Sequence, residues 1–263
     1  MTGDETMLRG KKILITGAGS GIGAETARLL SAAGAVPILT GRNGDKLKAA
    51  AAKLPGRHGV YTLDVTDNGQ VETVIAQILA DFDGVDVLLN NAGFGLFERF
   101  MDAPVSHFGA MMDTNYMGIV RCTKMVLPSF LARGDGHIVN VASIAGKLGT
   151  PKSTGYTASK HAVLGLTNAL RAELYGTGIV VSAVNPGPID TPFFEQADPD
   201  GTYVKNVSWF MMTPERAAKS IVRVIDRRKA ELDMPFTAAA GVKLVQLFPR
   251  LADRVTGKLL NKK

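Results

Sequence analysis

The chain has 263 residues, 46% of them apolar and 21% charged, a length within reach of one large α/β domain and an apolar content that excludes disorder. Its single cysteine, Cys122, excludes an internal disulfide framework and a paired-cysteine metal site, and reads as a small buried apolar residue in a reducing compartment. The net charge of +6 is uneven: residues 214–263 hold 12 Lys/Arg against 5 Asp/Glu, so the basic excess belongs to the tail, and no nucleic-acid fold signature accompanies it.

The opening MTGDETMLRGKK is polar with two early acids, unlike a secretory leader, and no uncharged apolar run reaches membrane-span length, so a cytoplasmic protein is expected. KKILITG predicts a strand and GIGAETARLLSAAG a helix ended by Gly34. VPILTGR is the next strand, GVYTLDV follows an Ala/Lys-rich helical stretch, and VDVLLNNAG follows another. GHIVNVAS and GIVVSAVNPG are two more. Short strands, apolar on both faces and separated by helix-length segments, predict a parallel sheet covered on both sides: a three-layer, doubly wound α/β fold. One domain is expected over 1–263, with its core at 10–190.

Residues 191–213 mix Phe, Trp and Met with Asp, Gly and Pro; they read as a long loop or a pair of short helices, long enough to serve as a lid. An amphipathic extension is expected at 236–260, where Val242, Leu244, Val245, Leu247, Phe248, Leu251, Val255 and Leu259 form a stripe among Lys243, Arg250, Arg254 and Lys258. Such a stripe suits packing on a subunit or on an anionic membrane surface. Subunit packing is the expectation, because most such stripes are core faces.

Between the first strand and first helix stands a glycine loop, Thr16 to Gly23. Its Gly17, Gly19, Ser20, Gly21, Ile22 and Gly23 sit where glycines make a tight turn, admit a pyrophosphate to the backbone, and aim free N–H groups at it from a helix N-terminus. Strand before and helix after are the context that supports dinucleotide binding. The second strand ends in Thr40-Gly41-Arg42-Asn43, without the acid that grips a ribose diol in NAD sites. A carboxylate would repel a 2′-phosphate and a guanidinium would bind it, so Arg42 points to NADP(H) over NAD(H). Asp64 and Val65, ending the third strand, sit where an adenine edge could be bound; Asp64 could equally cap the helix starting near Asp67.

Ser143, Tyr156 and Lys160 carry the chemistry. A Tyr four residues before a Lys on a helix sets phenol and ammonium on one face. An ammonium beside a phenol is expected to lower its pKa from about 10 and ready it for proton transfer.

These residues, taken with TGAGSGIG at 16–23, DV at 64–65, NNAG at 90–93, Asn115 in DTNYMG, YTASK at 156–160 and PGPIDT at 186–191, resemble the short-chain dehydrogenase/reductase family in order and spacing. The resemblance spans residues 10–195 and implies a sheet of about seven strands, nicotinamide-dependent redox chemistry and no metal. It implies Tyr156 as general acid in carbonyl reduction and base in alcohol oxidation. Lys160 would tune Tyr156 and bind the nicotinamide ribose, and Ser143 would hold the substrate oxygen. Asn115 would keep a helix bend and a proton-relaying water. Asn90, Asn91, Ala92 and Gly93 would border the adenosine and ribose; Pro186, Gly187, Ile189 and Thr191 would lie along the nicotinamide. It also implies a homodimer or homotetramer, paired through the helices holding Asn115 and Tyr156.

Phe94, Leu96, Leu148, Phe193, Phe194, Trp209, Phe210 and Met211 are expected to line a pocket for a mainly apolar molecule with one carbonyl or secondary alcohol. Lys147 and Lys152 lack helical spacing to Tyr156 and read as surface residues. His58, His107, His137 and His161 show no metal-ligand spacing. A nucleotide-sugar epimerase or dehydratase shares the Tyr-x-x-x-Lys pair, but the stretch after Pro186 is short for its substrate domain. A non-enzymatic NADP sensor need not retain Asn115, Ser143, Tyr156 and Lys160 together. The leading expectation is therefore an NADPH-dependent carbonyl reductase.

Overall fold

The computed structural model describes residues 7–247. Seven strands form one parallel sheet: β1 (Lys12–Thr16), β2 (Val36–Gly41), β3 (Gly59–Thr62), β4 (Val87–Asn90), β5 (Gly136–Val141), β6 (Ile179–Pro186) and β7 (Glu231–Met234), in the order β3-β2-β1-β4-β5-β6-β7. The reason lies in the side chains. Residues of β4 and β5 are buried throughout, which only a sheet covered on both faces allows.

Alternation along β1 divides the two core layers. Ile13 and Ile15 join one layer with Leu30 of helix α1 (Gly21–Ala32) and Ile221 of α9 (Pro214–Arg227). Leu14 joins the other with Ile75 of α3 (Asn68–Asp81) and Phe130 of α5 (Gly118–Arg133). The remaining helices are α2 (Gly44–Ala51), α4 (Val105–Met112), α6 (Thr154–Glu173), α7 (Phe193–Ala197), α8 (Thr202–Val207) and α10 (Phe236–Leu247). Side-chain caps fix where several begin: Asn43 accepts from Lys46 N–H, Asp67 from Gln70 N–H, and Thr213 from Arg216 N–H ahead of a first-turn proline.

The chain leaves β1 toward β2 on one side and leaves β4 toward β5 on the other. The strand order reverses there, opening a crevice at the carboxyl ends of β1 and β4.

Three expectations change. The third strand stops at Thr62, because the Asp64 carboxylate accepts from Thr66 N–H at 2.9 Å and Thr66 Oγ1–H at 2.8 Å and turns the chain. Asp67, not Asp64, caps α3. The tail holds a seventh strand that its sequence did not announce: after α9, Glu231–Met234 pairs in parallel with Ala183–Pro186 and completes the sheet. Residues 191–213 hold the short helices α7 and α8 and a further turn at Ser208–Phe210. In the C-terminal stripe, Val242 is buried and Leu247 is 73% exposed. Phe248, Leu251, Val255 and Leu259 lie outside the described residues. No helix among the described residues is long and apolar enough to cross a membrane.

Candidate active site

The glycine loop is built by close packing. A Cβ on Gly17, whose φ is +67°, would stand 2.8 Å from Ala92 Cα, and one on Gly23 would stand 2.5 Å from the Gly17 carbonyl oxygen. Asn91 explains the contact: its Nδ2 donates to the carbonyls of Thr16 at 3.0 Å and Gly17 at 3.1 Å. Thr16 Oγ1 in turn accepts from the N–H groups of Asn91 and Ala92, each at 3.0 Å. Asn90 faces the other way, donating to Asn140 at 2.9 Å inside the sheet. Gly21 has φ +55° and approaches Thr191, which joins the loop to the segment after β6.

Ala18 N–H donates to the Thr40 carbonyl at 2.9 Å, so the end of β2 lies against the loop. Arg42 is exposed there and pairs with no described residue; Ser20 is also exposed and makes no capping bond. Asp64 and Val65 follow the neighbouring strand, Val65 buried under Gly118.

Ser143 leaves β5 on an extended backbone. Its hydroxyl accepts from Ala145 N–H at 3.0 Å and donates to the Pro186 carbonyl at 3.3 Å. Tyr156 and Lys160 are one turn apart on α6, with Lys160 Nζ 5.7 Å from the Tyr156 ring centroid. Ser143, Tyr156 and Lys160 line one cleft, of about 170 Å³, together with Ile22, Asn91, Gly93, Pro186, Gly187, Ile189 and Thr191.

Asn115 sits beside the cleft on a single wide π-turn, Asp113–Met117, between α4 and α5. Its side chain accepts from Phe94 N–H and donates to the Phe94 carbonyl, both at 2.9 Å, and also donates to Ser159 Oγ at 2.9 Å. It thereby clamps the chain leaving Gly93 onto the helix that carries Tyr156 and Lys160.

The electrostatics reverse one expectation. Burial pushes the Tyr156 phenol well above its ordinary pKa; the neighbouring Ser143 hydroxyl offsets part of that, and the nearby Tyr203 phenol adds to it. That burial outweighs any pull from Lys160. Its ammonium is directed to the Val141 carbonyl at 2.9 Å, and burial lowers its own pKa to about 8.

Leu148, Phe193 and Phe194 line the cleft as expected, whereas Phe94, Leu96, Trp209, Phe210 and Met211 do not. Trp209 is 84% exposed and packs edge-on against Phe210. Phe94 is engaged through its backbone by Asn115. Sequence reasoning missed Phe97 and Tyr203, both of which line the cleft. Phe97 is the hub of its aromatic wall, 5.9 Å from the Tyr156 ring, 4.7 Å from Tyr203 and about 6 Å from Phe193 and Phe194. Lys147 is not a bare surface residue: its ammonium pairs with Glu231 at 2.5 Å and Asp233 at 2.7 Å, tying the loop after Ser143 to β7. His161 is exposed, and its ring bonds the Thr157 carbonyl at 2.9 Å. Among the described residues no cluster of three or more His, Cys, Asp or Glu could hold a metal.

Residues 11–201 match the short chain dehydrogenase family. The chain is a short-chain dehydrogenase/reductase. Within this family it is 39% identical over 192 residues to the 3-oxoacyl-(acyl-carrier-protein) reductase of Thermotoga maritima, covering 72% of this chain and 78% of that one. Its fold is similar to the closed form of a serine dehydrogenase complexed with NADP+, at TM-score 0.79 and 30% identity over 86% of this chain and 95% of the other. An actinorhodin polyketide ketoreductase variant with NADPH gives TM-score 0.79 and 31% identity, again over 86% and 95%. This cleft combines a glycine loop at a helix N-terminus, a half-buried phenol and a buried ammonium.

Proposed function

We propose that the protein is an NADP(H)-dependent carbonyl reductase acting on a mainly apolar small molecule, reversible as an alcohol dehydrogenase. The observation that carries this reading is the convergence of Ser143, Tyr156 and Lys160 on one cleft bordered by Ile22, Gly93 and the Pro186–Thr191 segment.

The chain fits the cofactor. The loop at Gly17, Gly19, Ser20, Gly21, Ile22 and Gly23 would cradle the pyrophosphate, and Arg42, exposed with no carboxylate at the end of β2, would take the 2′-phosphate. Asp64 and Val65 would border the adenine, Asn91, Ala92 and Gly93 the ribose, and Pro186, Gly187, Ile189 and Thr191 the nicotinamide, with Lys160 on its ribose. The NADP+ and NADPH of the two similar solved enzymes support the preference over NAD(H).

Held by these residues, NADPH would supply the hydride, a proton with two electrons, for the carbonyl carbon. Ser143 donates a hydrogen bond to the carbonyl oxygen and fixes its place. Tyr156, kept protonated by its burial, gives its phenolic proton to that oxygen, so the ketone leaves as an alcohol and the phenol as phenolate. The Lys160 ammonium, protonated below about pH 8, stabilises the phenolate. Asn115 holds Phe94 and Ser159, and with them the spacing between the two walls of the cleft. A homo-oligomer belongs to the same reading, and sedimentation velocity tests it. The chemistry is tested by following NADPH oxidation over a panel of ketones and aldehydes: turnover with NADPH exceeding that with NADH is expected, and no turnover with any of them refutes the assignment.

A further inference from the structure

Resting on that reading of the cleft, we infer that Tyr203 is a specificity residue whose hydroxyl bonds a second oxygen of the substrate. The preferred substrates are then oxo compounds carrying another acceptor oxygen, such as oxo-esters, oxo-thioesters and diketones, on an apolar frame.

The argument is one of elimination among the polar side chains that line the cleft. Both Nδ2 hydrogens of Asn91 are spent on Thr16 and Gly17, and Lys160 is committed to Val141 and to the Tyr156 phenolate and nicotinamide ribose of the reading above. Thr150 and Ser153 bond each other at 2.8 Å, and Ser153 also donates to the Thr150 carbonyl. Thr191 donates to the Ile189 carbonyl, and Ser143 is assigned to the reacting carbonyl itself. Tyr156, with the Ser143 hydroxyl beside it, is taken by the reacting carbonyl, which leaves Tyr203, a residue of the same cleft whose hydroxyl bonds no described residue. The Tyr203 phenol lies near enough to Tyr156 to add to its rise.

Tyr203 is also held in place. Its ring packs edge-on to Phe97 at 4.7 Å and stacks on Phe194 at 5.7 Å. The Asp198 carboxylate accepts from Val204 N–H at 2.8 Å and fixes the first turn of α8. Phe97 N–H donates to the Ala197 carbonyl at 2.9 Å, fastening that wall to the lid. Burial, and then the Asp198 charge, raise the Tyr203 phenol to about 12, so it stays a neutral donor at working pH. A phenol so fixed, half-buried in the cleft wall and without a bond to a described residue, is placed to meet the substrate. A plain ketone filling the cleft would displace water from that hydroxyl and offer no bond in exchange, which is how a site rejects an analogue lacking one polar atom.

The experiment compares an oxo-ester with the ketone of equal chain length in which methylenes replace the ester, both reduced by NADPH. The ester also activates its neighbour electronically, so the informative quantity is how the ratio of their kcat/KM values changes between wild type and Tyr203→Phe. That ratio should fall about tenfold in the variant, because the phenylalanine keeps the aromatic packing and removes only the donor. An unmoved ratio, or both substrates losing equally, overturns the role of Tyr203 and leaves the carbonyl reductase standing. A wild-type preference for the plain ketone overturns it as well. A wild type that oxidises NADPH with no oxo compound overturns the reading of the cleft and this inference together.

Discussion

The Lys160 ammonium donates to the Val141 carbonyl at 2.9 Å, so the lysine that faces the cleft also pins α6 to the end of β5. Burial alone accounts for the fall in its pKa from 10.5 to about 8. The unfolded chain therefore keeps a proton that the native lysine has released between about pH 8 and 10.5. Stability from this group rises with pH across that window, and the burial penalty is fully present below it. Lys160→Met should raise stability by about 1–3 kcal/mol at neutral pH, with the gain shrinking toward pH 10. Urea unfolding of both proteins at several pH values checks it; a gain independent of pH would count against the account.

Tyr156→Phe removes the phenolic proton assigned to the substrate oxygen while keeping the ring packing intact. Turnover should drop by at least about a hundredfold, while NADPH still binds. Stopped-flow fluorescence of bound NADPH, read beside steady-state rates, separates the two; full turnover in the variant would sink the mechanism.

Arg42 stands exposed beside the glycine loop, and its replacement bears on one phosphate only. Arg42→Asp should weaken NADPH by about 2–3 kcal/mol, through loss of charge-assisted bonds and gain of a like charge. NADH, which offers a diol at that spot, should be unharmed or improved. Equal losses for the two nucleotides in a fluorescence titration would refute the cofactor preference.

Gly17 and Gly10 allow backbone strain to be separated from crowding. Both have positive φ, but a Cβ on Gly10 meets nothing within 4 Å, whereas one on Gly17 meets Ala92 Cα at 2.8 Å. Gly10→Ala should cost about 1 kcal/mol from the left-handed backbone alone. Gly17→Ala should cost clearly more and weaken NADPH besides, since Ala92 and the loop must move apart. Thermal unfolding with and without NADPH distinguishes them.

The six strands from β1 to β6 were legible because each is a short apolar run bounded by turn residues, and the glycine loop because its spacing reflects a backbone demand. β7 was not: ELDM alternates charge with apolar groups, and its carboxylates read as surface until Lys147 and Asn185 are seen to hold them. Phe97 and Tyr203 were missed for a related reason. Their meeting joins segments some hundred residues apart, through the bond from Phe97 to Ala197, and no local period records it. The direction of the Tyr156 shift was misjudged because sequence gives the spacing of Lys160 but not the desolvation that outweighs it.

The wide turn at Asp113–Met117 has a consequence for chain length. A helix advances about 100° per residue, so removing one residue there would swing α4 and α5 out of phase by that angle. Either Asn115 would leave Phe94, or Cys122, Val126 and Phe130 would leave their layer beneath the sheet. A one-residue deletion at this place would thus unmake the cleft's walls without deleting any side chain that lines it, whereas a substitution on the turn's outer side would leave the phase intact. At this point in the chain, residue count carries the instruction that residue type carries elsewhere.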